Sequence, residues 1–74
     1  MKLKFKDVRI GSKFKVGSIL WIKIPLLIDG LGNLVNAFAL HDYPNFDFVY
    51  NGTVYPVREG LTIFFDQDIE VLLA

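Results

Sequence analysis

The sequence predicts an all-β fold: a small antiparallel SH3-like barrel or open β-roll of about six strands, with an extended aromatic hairpin. Apolar and polar residues alternate with period two through most of the chain, and no segment shows helical periodicity. Gly, Asn and Asp punctuate the alternating runs at short intervals, which is the pattern of a strand-and-turn protein. At 74 residues the chain has room for a single domain, residues 1–74.

In "MKLKFK" Leu3 and Phe5 point one way and Lys2, Lys4 and Lys6 the other, so the first strand has one buried and one charged face. "DVRIGSKF" turns at Gly11. Phe14 and Val16 then lead into "VGSI", a hairpin signal with Gly17 where a positive φ is needed. The next strand covers 19–28, and Pro25, which has no N–H to give a ladder, marks a bulge, an end or an edge in it. "DGLGN" turns into a strand over 34–41. "FDFVY" and "TVYPV" flank Asn51-Gly52, the strongest hairpin signal in the chain. "LTIFF" and "IEVLL" supply the last strands, joined by the "DQD" turn.

Alternation sorts the apolar residues into two sets. Phe5, Phe14, Val16, Leu20, Ile22, Ile24, Phe38, Leu40, Ile63, Ile69 and Val71 form the expected core. Ile19, Trp21, Val35, Ala37, Ala39, Phe64 and Leu72 fall on the opposite phase. One small barrel has no second core, so this set is expected to form an outer apolar face that a homo-oligomer buries. Self-association is also the staple that remains open to so small a domain. There is no cysteine, which excludes disulfides and thiolate metal sites, and one histidine is too few for a zinc site. No metal and no cofactor are expected.

The apolar share is high, at 53%, with a mean hydropathy of +0.40. The longest apolar run, "ILWIKIPLLI", is broken by Lys23 and Pro25 and falls short of the about 20 residues of a membrane span. The start of the chain has no hydrophobic signal region, so a cytoplasmic protein without membrane contact is expected. Net charge is zero but unevenly spread. Seven cations precede residue 24, and beyond it Arg58 is the only one. Pairing of the first and last strands would set these lysines against the late Asp and Glu residues. The alternative is a basic track for nucleic acid. The acidic character of the aromatic stretch, with Asp42 and Asp47, weighs against that reading.

No nucleophile signature accompanies His41-Asp42, and neighbours on a strand face opposite ways, so an enzyme is not expected. Asp66, Asp68 and Glu70 lack the spacing of a calcium loop and read as turn residues. The aromatic stretch is the best candidate for binding. Tyr43, Phe46, Tyr50 and Tyr55 would contact a partner protein or a flat ligand. If that ligand is a nucleotide, Arg9, Lys13 or Arg58 would meet its phosphates.

The order of these signals resembles a group of very small β-proteins of phages and bacterial mobile elements. The shared pattern is F-K-D-L-x-x-G-x-x-F, then an aromatic-x-K strand, an N-A pair and a late F-x-x-x-x-x-V. It is carried here by Phe5-Lys6-Asp7-Val8, Gly11, Phe14, Trp21-Ile22-Lys23, Asn36-Ala37 and Phe65 through Val71. The stretch 42–57 departs from it, being longer than the group's tighter hairpin. The resemblance implies a non-enzymatic accessory protein acting in the host cytoplasm, which blocks a host defence protein or sequesters a host nucleotide signal. A nucleic-acid-binding barrel using the N-terminal lysines, or a structural subunit of a phage assembly, is the alternative.

Overall fold

The computed structural model describes residues 1–74. Its strands are β1 (Lys2–Lys4), β2 (Lys13–Val16), β3 (Ile19–Ile28), β4 (Leu34–Ala39), β5 (Asp47–Tyr50), β6 (Thr53–Pro56), β7 (Thr62–Ile63) and β8 (Glu70–Leu73). Six of them form one sheet in the order β1-β8-β2-β3-β4-β7, every neighbouring pair antiparallel. β5 and β6 form a separate two-stranded sheet. The large sheet is open, with the short strands β1 and β7 at its edges. Such brevity limits how much bare ladder an edge presents.

The turns follow their residues. Gly17 (φ 60°) and Ser18 (φ 64°) link β2 to β3, and Asn51 (φ 50°) and Gly52 (φ 78°) link β5 to β6. Positive φ at both central residues is the two-residue turn whose twist matches antiparallel strands. After β1 the chain makes a 3-10 turn over Phe5–Asp7, which the alternation of "MKLKFK" does not reveal. It swings Phe5 under the sheet, where the Phe5 N–H donates to Ile69 O at 2.9 Å. β3 and β4 shift register between Lys23 and Leu27, so that β3 bulges around Pro25.

The core is a cluster of rings centred on Phe65. Its ring lies 5.1 Å from those of Trp21 and Tyr50, 5.8 Å from Phe5 and Phe14, and 6.2 Å from Phe48. Most of these pairs meet edge to face, the arrangement that the ring quadrupole favours. Val8, Ile19, Ala37, Ala39, Val57, Ile63 and Val71 complete the buried cluster.

The faces of β3 and β4 are the reverse of those expected. Ile19, Trp21, Val35, Ala37 and Ala39 are buried within the single chain and are not an outer face. Leu20, Ile22, Ile24, Phe38 and Leu40, expected inside, are only half-buried. Size complementarity is the reason. Trp21 lies directly across from Ala39, and the alanines leave the room that the Trp21 and Phe65 rings fill. Of the expected outer residues, Phe64 is half-buried and Leu72 is exposed.

The aromatic hairpin lies across the core. Phe48 is buried, 5.2 Å from Trp21, and its ring rests on the β2–β3 turn at Gly17. A Cβ built on Gly17 would sit 2.8 Å from Phe48 Cε1, at a φ that side chains rarely adopt. Gly17→Ala is therefore expected to lower stability by about 1–3 kcal/mol through overpacking and backbone strain. Chemical denaturation of the two proteins checks this; an unchanged midpoint would mean that Phe48 does not seat there.

Candidate interaction surfaces

Tyr43, Phe46 and Arg58 come together at one hollow of about 360 Å³, which Asp42, Pro44 and Asp47 also line. It lies where the chain leaves β4 and where β6 ends, held by Tyr43 N–H donating to Val57 O at 3.0 Å. Phe46 is 44% exposed, whereas Tyr43 is half-buried and its hydroxyl accepts the Leu20 N–H at 3.2 Å. The other expected ligand residues lie apart from this hollow. Arg9 belongs to the turn before β2, and Lys13 is on β2. Asp42 accepts the Glu59 N–H at 2.6 Å, so it shapes the loop around the hollow.

Tyr50 and Tyr55 turn toward the core beside Phe48. Tyr50 is tied down further: its hydroxyl accepts the Asp66 N–H at 2.9 Å and donates to Asp66 Oδ2 at 3.2 Å. Asn51 Nδ2 reaches the same carboxylate at 3.3 Å. Asp66 thus fastens the hairpin to the segment that carries Phe65. Tyr50, expected as a contact residue, thus has its ring packed on Phe65 and its hydroxyl bonded to Asp66 within the chain, and remains half-buried.

The lysines divide into two groups. Lys2 faces Glu70 at 3.6 Å, and Lys4 and Lys6 face Asp68 at 4.0 and 3.6 Å, as pairing of β1 with β8 requires. All these groups are exposed, and such pairs contribute about 0–1 kcal/mol each. Lys23 alone turns inward, capping Phe5: its Nζ is 4.4 Å from the ring centroid and donates to Phe5 O at 2.9 Å. Burial lowers its pKa from 10.5, opposed by the nearby Asp7 carboxylate. Lys13 and Lys15 lie on the face of β2 opposite the buried Phe14.

That face continues across the sheet. Lys13 is the cross-strand neighbour of Ile22, Ile22 of Phe38, and Phe38 of Thr62. In a second row Leu72 neighbours Lys15, Lys15 neighbours Leu20, and Leu40 N–H donates to Leu20 O at 3.1 Å. Leu20, Ile22, Phe38, Leu40 and Phe64 therefore share a sheet face directed away from the ring cluster, with Lys13 and Lys15 along one side. An outer apolar face exists, built from the phase opposite to the one expected.

Sequence reasoning missed a second apolar surface. Past Lys23 on β3 and before Val35 on β4, the two strands pair only with each other. This overhang exposes Leu26, Leu27, Ile28, Leu31 and Leu34, with Leu31 88% exposed. The signal was the charge-poor run "LLIDGLGNL", whose one charged residue, Asp29, accepts the Leu31 and Asn33 N–H groups at 2.9 Å. Compared with protein-family models, with curated proteins and with solved structures, the chain matches none. No helix is long and apolar enough to cross a membrane.

Burial raises the Tyr50 phenol above its ordinary 10.0; the Asp66 N–H, which bonds the oxygen, opposes this, and the Asp66 carboxylate adds to it. The folded chain then holds a proton that the unfolded chain releases first. This contribution is fully present below pH 10.0 and is lost as pH rises through the higher folded value. Tyr50→Phe is expected to cost about 0.5–1.5 kcal/mol at neutral pH through its lost hydrogen bonds. The stability gap between the two proteins should close as pH climbs above 10.0, read by denaturant unfolding; a constant gap would contradict the assignment.

Proposed function

We propose that the chain is a non-enzymatic binding protein that acts by covering a surface of a partner protein. The apolar outer face of Leu20, Ile22, Phe38, Leu40 and Phe64 carries this reading. These side chains are half-buried, and apolar residues gathered on one outward face that stays partly open to solvent mark interaction surfaces. The lysines beside it, Lys13 and Lys15, favour a partner whose contact patch is apolar with an acidic margin. This mode of action fits an accessory protein of the phage type, which blocks a host defence protein by occupying it.

A nucleic-acid role has less support. Lys2, Lys4 and Lys6 already face carboxylates, which would compete with phosphates for them. A second reading, capture of a small nucleotide-like ligand, is favoured by the hollow that joins Tyr43, Phe46 and Arg58. Asp42 and Asp47 on its walls oppose a multiply charged phosphate.

Lysine-directed cross-linking in the cells that naturally hold the protein tests the first reading. Lys13 and Lys15 are expected to link to one and the same partner. Phe38→Lys, at a half-buried surface position, should remove those links by more than tenfold while leaving the circular dichroism spectrum unchanged. Links that survive Phe38→Lys would contradict the outer-face reading. Native mass spectrometry tests the second reading: a bound small molecule lost in Arg58→Ala would move the function to the hollow.

A further inference from the structure

The β3–β4 overhang is an odd object for a monomer. It is a two-stranded ribbon with apolar side chains on both faces: Leu27 pairs with the inward-facing Val35, and Ile28 with Leu34 on the opposite face. Two-stranded ribbons are marginal in water when nothing covers them. The turn at its end is well made, with Asp29 N–H donating to Asn33 O at 2.8 Å and Gly32 N–H to Asp29 O at 3.1 Å. β3 has no neighbour on its β2 side beyond Lys23, whose backbone makes the last bonds to Gly11 and Ser12. Pro25 and the bulge around it blunt this edge as far as Leu26, but from Leu26 to Ile28 it carries no lysine or proline to keep it from pairing.

We propose that this edge pairs with the same edge of a second copy of the chain, antiparallel, about a two-fold axis at Leu27. The inference goes beyond the outer-face reading and uses different residues. Its geometry follows from the ladder. Asp29 points its N–H across to Asn33 and Leu27 pairs with Val35, so alternation turns the N–H and C=O of Ile28, and the C=O of Leu26, to the open side. Antiparallel pairing centred on Leu27 then sets Leu26 opposite Ile28 of the second copy, and each Ile28 N–H donates to the Leu26 C=O across the axis. Leu27 meets Leu27 of the second copy at a position without such bonds, where side chains approach most closely.

Charge selects a second copy as the occupant. From Ile24 to Asn36 the only charged side chain is Asp29, already engaged by its own turn. A charged partner finds nothing to pair with, whereas an uncharged apolar edge complements itself under two-fold symmetry. Ile10, 61% exposed just before Gly11, stands where the edge opens and adds to the apolar contact. The axis of an antiparallel edge pair runs perpendicular to the sheet, so both outer faces come to lie on the same side. The dimer then offers a doubled surface to one partner, which raises avidity without new contacts.

Because Leu27 would meet itself, opposite charges placed there give a specific test. Leu27 is 44% exposed, so Leu27→Lys and Leu27→Glu are expected to fold with unchanged circular dichroism. Sedimentation velocity should give a dimer for the native chain and a monomer for each variant alone. An equimolar mixture of the two variants should restore the dimer. A native chain that stays monomeric, or variants that stay dimeric, would overturn the proposal. So would a mixture that stays monomeric. Phe38→Lys separates the two readings: it should leave the dimer intact, and dimer loss in that variant alone would place self-association on the outer face.

Discussion

The fold depends on how Asn36 holds Phe65. Asn36 is the buried polar residue of the core, and its side chain does the work of a missing strand. Nδ2 donates to Phe65 O at 2.9 Å, and Oδ1 accepts the Phe65 N–H at 2.8 Å. Phe65 lies outside β7, so no ladder satisfies its backbone. Leaving those groups buried and unpaired would cost about 1–3 kcal/mol each. With both satisfied, the Phe65 ring is fixed at the point where Phe5, Phe14, Trp21, Phe48 and Tyr50 converge.

This placement decides which side of the sheet is the inside. A ring of that size beside β3 and β4 needs small neighbours, and Ala37 and Ala39 provide them. Trp21 follows them inward, its Nε1–H donating to Val16 O at 3.3 Å. Leu20, Ile22, Phe38 and Leu40 are left facing outward by the strict alternation of strands. The surface open to partners is therefore a consequence of the core packing. The residues of the resemblance noted above follow the same logic. Phe5, Phe14, Trp21, Ala37, Phe65 and Val71 are core, Asn36 clamps Phe65, and Lys23 caps Phe5. These residues hold the scaffold, whereas Ile22 of the same pattern lies on the outer face and Lys6 and Asp7 are exposed.

The turns and most strands were legible in the sequence because their determinants are local. Asn51-Gly52 and Gly17-Ser18 specify their turns by conformation alone, and the bounds of β3 follow its apolar run. The pairing of β1 with β8 was legible from charge, since Lys2 and Lys4 needed the late carboxylates. The faces of β3 and β4 were not legible. In "ILWIKI" the one charge, Lys23, shares its phase with Ile19 and Trp21, so alternation points that set outward; the choice rests instead on Trp21 fitting against Ala39 across the sheet, with Lys23 turned in over Phe5. The aromatic stretch misled for a related reason. Its composition cannot distinguish Phe48, which enters the core, from Phe46, which does not. The overhang escaped notice because exposure of Leu26 to Leu34 depends on where β2 and β7 stop.

Native-state hydrogen exchange at the Phe65 amide is the most direct test. A residue outside any strand ordinarily exchanges through local opening, as the turn at Gln67 and Asp68 should. With Asn36 clamping it, the Phe65 amide should exchange only on global unfolding, as slowly as the amides of Phe14 and Trp21 in the centre of the sheet. Exchange of Phe65 at the rate of the Gln67 turn would contradict the account, because the ring cluster would then have no fixed centre.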